Sequence, residues 1–169
     1  KDGSITAIYT TLVEGDEDED PISEAVRATT DGHITLSKDL AESGQYPAID
    51  MTRSISRMME QVVEPEHLQM ARNFRSMVHS YQEAKELVNL GAYEKGTNPD
   101  YDRALEMSDR MRNYIMQTPD ERHGYDESVQ RLRELMSTAS SLEISQADAT
   151  QQRSMPRDPS NSYQTNNQS

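Results

Sequence analysis

Ser4-Ile5-Thr6-Ala7-Ile8-Tyr9-Thr10-Thr11-Leu12-Val13 decides the class of fold. The run is rich in β-branched side chains and apolar on both alternating faces, the pattern of a central strand in a sheet covered on both sides. One strand cannot bury two faces alone, so its sheet neighbours are expected upstream of Lys1. A chain that opens on lysine and enters a strand at once reads as a fragment of something longer. Working outward, an acidic loop spans 14–20, and Asp20-Pro21 with Glu24 starts a short helix that ends near Thr30. Asp31-Gly32 is a turn, and His33-Ile34-Thr35-Leu36-Ser37 reads as a second strand, followed by a polar segment and the phrase Gly44-Gln45-Tyr46-Pro47-Ala48-Ile49-Asp50.

From Pro65 the period becomes helical. Leu68, Ala71, Phe74, Val78, Tyr81 and Val88 fall near one face, and Gly91 stands where a C-cap belongs. Asn98-Pro99 starts a further helix carrying Leu105, Met111, Tyr114 and Ile115. Thr118-Pro119 punctuates it before another with Val129, Leu132, Leu135 and Met136. After Ile144 the chain is Gln, Asn, Ser and Asp with two prolines, too poor in apolar residues to offset the entropy of ordering. The expected organisation is α/β then α: 1–63 as the end of an α/β core, 64–144 as a helical domain and 145–169 as a disordered tail.

Composition narrows the function. The 169 residues carry a formal net charge of −13 with no basic run to override it, which excludes generic nucleic-acid binding. Only 33% of them are apolar and the mean hydropathy is −0.92. Cysteine is absent, which removes disulfide frameworks, thiolate zinc sites and cysteine nucleophiles, and fits a reducing compartment. No apolar stretch approaches the roughly 20 residues that span a bilayer, and no secretory signal opens the chain.

Several phrases imitate chemistry without its requirements. Asp16-Glu17-Asp18-Glu19-Asp20 opens like a calcium loop, yet Pro21 and Arg27 stand where the loop needs glycine and a bidentate glutamate. Gly91-Ala92-Tyr93-Glu94-Lys95-Gly96-Thr97 has phosphate-loop spacing but lacks the lysine before its hydroxyl residue and follows a helix, so it reads as a cap and a turn. His33, His67, His79 and His123 lack paired metal-ligand spacing and read as surface or capping residues, and no metal ligand is assigned. The ten methionines, Met107, Met111 and Met136 among them, read as core filler.

Specificity comes from phrases in register. Gly3-Ser4-Ile5-Thr6-Ala7-Ile8-Tyr9-Thr10, Val13-Glu14-Gly15-Asp16, Asp31-Gly32-His33-Ile34, Tyr46-Pro47-Ala48-Ile49-Asp50 and Ser54-Ile55-Ser56-Arg57 follow one another as in one protein family. So do Pro65-Glu66-His67-Leu68, Gly91-Ala92-Tyr93 and Asp102-Arg103-Ala104. Over residues 2–136 the chain resembles the C-terminal third of flagellar export ATPases, and is similar to the secretion ATPases of injectisomes and, more distantly, to the catalytic subunits of rotary ATP synthases.

The resemblance implies the C-terminal end of a P-loop, RecA-like core followed by a helical domain, in a hexameric ATPase that uses ATP and Mg2+ to energise protein export. It implies that the phosphate-binding loop, catalytic glutamate and magnesium-binding aspartate lie upstream of Lys1, so the fragment alone is expected to be inactive. Two residues carry over by position. Tyr46 matches the aromatic that stacks on adenine, and Arg57 matches the arginine finger that reaches a neighbour's γ-phosphate. Arg27 and Arg53 are nearby cations that the acidic loop accounts for, and neither is assigned to the site. Implied partners are identical subunits in a homo-hexamer, the export gate, a regulatory stator-like protein, a central stalk protein and chaperone–substrate complexes. The implied location is cytoplasmic, at the cytoplasmic face of the inner membrane and peripheral to it at most. The competing expectations are an injectisome ATPase, a rotary synthase subunit, and a non-catalytic helical adaptor lacking the phosphate-binding loop.

Overall fold

In a computed structural model, residues 3–13 and 20–154 are described, the side chains of 143–154 excepted. The order of elements is α1 (Pro21–Thr29), β1 (Gly32–Leu36), α2 (Lys38–Glu42), β2 (Ile49–Ser56), α3 (Met59–Val62), α4 (Pro65–Asn89), α5 (Pro99–Glu106), α6 (Ser108–Ile115) and α7 (Tyr125–Ser154). The chain divides into two compact units, Lys1–Leu68 and Gln69–Ser169.

The first unit is a two-stranded antiparallel ribbon with short helices around it. Asp20 caps α1, accepting the Ser23 N–H at 2.9 Å, and Pro21 takes the first position, where a missing N–H removes nothing. Hydrogen bonds from Ser23, its hydroxyl first and its N–H second, hold the Asp20 carboxyl below the usual carboxylate range. Residues 4–13 do not form the expected strand. They form no helix or strand among the described residues, leaving Ile5 97%, Ile8 91% and Leu12 93% exposed. β-propensity favours extended backbone, but a strand exists only where its N–H and C=O groups find a neighbour. The 14–19 part of the acidic loop lies outside the described residues. Conversely, β2 forms where the sequence suggested only a phrase. Its partner is β1, from Gly32 opposite Ser56 to Leu36 opposite Ile49. The buried side chains among this unit's described residues are Ser23 and Thr35, both polar. Ile22, Ile34, Leu36 and Ile55 are exposed, so the ribbon has no apolar core of its own.

The core lies in the helical unit. α4 contributes Met70, Phe74, Met77 and Ala84, α5 Ala104, the α5–α6 junction Met107, α6 Met111, and α7 Leu132, Leu135 and Ala139. This stripe differs from the expected one: Phe74 holds its place, but Val88 is 47% exposed and the methionines face inward. Phe74 meets Tyr114 edge to face, with ring centroids 5.3 Å apart. The Arg131 guanidinium lies 5.8 Å from the Tyr114 ring centroid, and the Tyr114 hydroxyl donates to the Ser128 carbonyl at 3.2 Å.

Caps fix the helix ends. Gly91 has φ 68°, and the Gly91 and Ala92 N–H groups close onto the Val88 and Leu87 carbonyls, the paired bonds that end a helix in a left-handed residue. Asn98 caps α5 through the N–H groups of Asp100 and Tyr101. The helix expected from Asn98-Pro99 onward is two, because the chain turns at Met107. α7 continues to Ser154, past the expected boundary at 145, while 155–169 lie outside the described residues.

The loop between α4 and α5 closes on Tyr93. Its hydroxyl donates to the Asp102 carboxylate at 2.8 Å, and Asp102 also accepts the Gly96 N–H at 2.8 Å. Burial first, and then the Asp102 charge, push the Tyr93 phenol up to about 12. Since the fold favours the neutral phenol, the stabilisation is fully present below the ordinary tyrosine value and is lost as pH rises through about 12. Tyr101 and Tyr114 are also raised, chiefly by burial, so an ultraviolet titration is expected to show several late-ionising tyrosines, the latest of which disappears in Tyr93→Phe.

Candidate functional site

Tyr46 sits between the end of α2 and the start of β2. Ser37 caps α2 through the Leu40 N–H, and Gly44, at φ 79°, ends it. The Gly44 N–H bonds the Ala41 carbonyl and the Gln45 N–H bonds the Leu40 carbonyl, which turns the chain so that Tyr46 follows immediately. A cis peptide joins Tyr46 to Pro47, and the carbonyl of Ala48, one residue further on, accepts the Ser37 N–H at 2.8 Å. The ring is 57% exposed, a face open to a flat apolar group.

Arg57 sits at the other end of β2. Its N–H donates to the Asp31 carbonyl at 2.8 Å, and its guanidinium Nη2 donates to the Arg27 carbonyl at 3.0 Å. Arg27 is in the last turn of α1, where carbonyls lack helical partners and the dipole favours a cation. A guanidinium has five N–H donors, so this bond fixes its plane without exhausting it. Gly32 permits the approach: a Cβ there would meet the Ile55 carbonyl oxygen at 2.5 Å and the Ser56 Cα at 3.2 Å. β1 sets the separation of the two candidates, roughly 13 Å from Gly32 to Leu36 at about 3.3 Å per residue. Tyr46 and Arg57 therefore flank opposite ends of one ribbon.

Between them β2 bulges. His33 pairs with Ile55 and Thr35 with Asp50, so two steps along β1 face five along β2. The Asp50 carboxylate gathers the excess, accepting from the Thr52 N–H at 2.9 Å, the Thr52 hydroxyl at 2.7 Å and the Arg53 N–H at 3.2 Å. The Ser54 hydroxyl donates to the Asp50 carbonyl at 2.6 Å and accepts the Thr35 N–H at 3.0 Å. His33 Nε2 lies 2.9 Å from the Arg53 carbonyl, and because a carbonyl only accepts, Nε2 carries the proton. His33 Nδ1 is then left buried without a hydrogen-bond partner. His33 is thus a bulge clamp rather than the surface or capping residue expected.

Two family profiles match the chain in tandem: the nucleotide-binding domain of the ATP synthase alpha/beta family over residues 1–56, and the T3SS EscN ATPase C-terminal domain over 63–134. Over these spans the chain is similar to flagellar and type III secretion ATPases. A flagellum-specific ATP synthase of Pseudomonas aeruginosa is 48% identical over 134 residues, 79% of this chain and 30% of that protein. The assembled ATPase EscN of the enteropathogenic E. coli type III secretion system superposes with a TM-score of 0.74 at 38% identity, over 78% of this chain and 32% of that one. EscN in complex with its central stalk EscO gives a TM-score of 0.65 at 34% identity, over 68% and 28%. The chain thus spans about 30% of the length of the flagellum-specific ATP synthase it matches.

Within this family frame, the ribbon separates Tyr46 from Arg57 instead of gathering them into one pocket. The residues that sequence reasoning missed are Asp50, Ser54 and His33. Asp50 followed at two residues by Thr52 is an Asx-turn signal that could have announced the bulge. Among the described residues, no three His, Asp or Glu converge to hold a metal ion, and no helix is long and apolar enough to cross a membrane.

Proposed function

We propose that the chain is the C-terminal third of a hexameric, magnesium-dependent ATPase that energises protein export through a flagellar type III secretion apparatus. The observation that carries this reading is the placement of Tyr46 and Arg57 at the two ends of one ribbon. Each subunit thereby offers an adenine platform to its own nucleotide and a guanidinium to the nucleotide of a neighbour. Tyr46 fits adenine, since its ring is exposed and base stacking on an aromatic contributes about 1–3 kcal/mol. Arg57 fits charge developing on a transferring phosphoryl group, being planar, permanently charged and pre-oriented by the Arg27 carbonyl. Bound Mg2+ supplies charge neutralisation on the phosphates, and in this reading its ligands and the phosphate-binding loop belong to the rest of the protein.

The exposed apolar side chains of 3–13, Ile34 and Leu36 support the same reading, because the remainder of a nucleotide-binding domain would cover them. They argue against the free-standing adaptor. The higher identity to the flagellar relative favours a flagellar cargo over an injectisome one. In this reading the partners are identical subunits, a central stalk like that named with EscN, the export gate, a stator-like regulator and chaperone–substrate complexes, at the cytoplasmic face of the inner membrane.

Tyr46→Ala in the full-length protein is expected to weaken ATP binding about 5- to 150-fold, the equivalent of one lost stacking contact, while Tyr46→Phe stays close to wild type. Calorimetry with a non-hydrolysable ATP analogue measures this. Unchanged affinity in Tyr46→Ala would remove Tyr46 from the site.

A further inference from the structure

The bulge determines where Arg57 lies. If β2 relaxed into regular pairing beyond Thr35, its last residues would slip by three positions, roughly 10 Å at about 3.3 Å per residue. An odd slip would also exchange the two faces of the strand, turning Arg57 away from the last turn of α1. Ser54 opposes this slip most directly. Its hydroxyl satisfies the Thr35 N–H, the ladder donor that the bulge leaves without a strand carbonyl, and holds the Asp50 carbonyl at the bulge's other end. Asp50 reaches the same loop through its carboxylate, and His33 grips it through the Arg53 carbonyl.

We propose that Ser54 is a positioning residue for Arg57, fixing the bulge that sets the register and direction of the finger. The proposal rests on the finger reading of Arg57. Ser54 touches neither nucleotide nor phosphate; it acts through the backbone of 51–57. Small displacements of a charge-stabilising group are expensive in rate, about a hundredfold for roughly 1 Å.

The test is a double-mutant cycle in the full-length hexamer, with Ser54→Ala, Arg57→Ala and both together, reading kcat, KM for ATP and assembly. Ser54→Ala is expected to lower kcat about a hundredfold, with KM and hexamer assembly unchanged. Ser54→Thr, which keeps the hydroxyl, is expected to restore it. In the Arg57→Ala background, Ser54→Ala is expected to have no further effect. Should Ser54→Ala fail to fold, Asp50→Ala, which removes the Oδ1 acceptor shared by Thr52 and Arg53, tests the same bulge through the other anchor and is expected to show the same non-additivity. A full further loss in the double variant, an unchanged kcat, or a loss confined to KM or assembly would overturn the proposal. Normal turnover in Arg57→Ala alone would instead remove the finger reading beneath it.

Discussion

Arg57→Ala in the full-length protein is expected to lower ATP turnover about a thousandfold or more while nucleotide affinity and hexamer assembly persist. The size follows from what the guanidinium does. In the proposed role it meets charge that develops only as the phosphoryl group transfers, so its removal would raise the barrier without weakening the ground-state complex. Its geometry prepares it for that task. The Arg57 N–H is held by the Asp31 carbonyl and Nη2 by the Arg27 carbonyl, so little ordering remains to be done when a nucleotide arrives. Arg57→Lys is expected to recover little of the rate, because an ammonium keeps the charge and loses the planar fork. Steady-state hydrolysis against analogue binding separates these effects.

The largest structural effect is expected at Phe74. It is 2% exposed, packs edge to face on Tyr114, and is one of the two largest fully enclosed side chains, the other being Met107. Phe74→Ala removes the buried ring and leaves a cavity, a change that destabilises by about 3–5 kcal/mol. Domains are typically stable by only about 5–15 kcal/mol, so the helical unit would approach unfolding at moderate temperature. Denaturant unfolding followed by helical circular dichroism measures it. Phe74→Leu, which fills much of the space, is expected to lose far less.

The helical unit was legible because its signals are local. Asn98-Pro99 and Gly91 punctuate helices by chemistry that needs no distant partner, and Phe74, Met107, Met111, Leu132 and Leu135 fall where a helical period places a core. The α4 stripe was misassigned by its neighbours in sequence. Met70, Phe74, Met77 and Ala84 line up at helical spacing, but Leu68 and Val88 outrank methionine and alanine in hydropathy and drew the stripe toward themselves. The ribbon was harder to read because strand identity lies in pairing. The 4–13 run has β-branched residues and no ladder partner among the described residues, whereas β2 has a partner and carries charged and polar residues through its bulge. Tyr46 and Arg57 were nominated by phrase, whereas the contacts of Gly44, Gly32, Ser54 and the end of α1 that surround them depend on the fold and carry no local signal.

The central claim, that Arg57 acts on the nucleotide of an adjacent subunit, is tested most directly by mixing two inactive full-length proteins. One carries Arg57→Ala with an intact phosphate-binding loop; the other keeps Arg57 and has that loop disabled. Reassembled at equal ratio, about one interface in four joins an intact loop to an intact Arg57, and turnover is expected to return in that proportion. If the mixed hexamers assemble and remain as inactive as their parents, Arg57 does not act across the subunit boundary and the account fails at its centre.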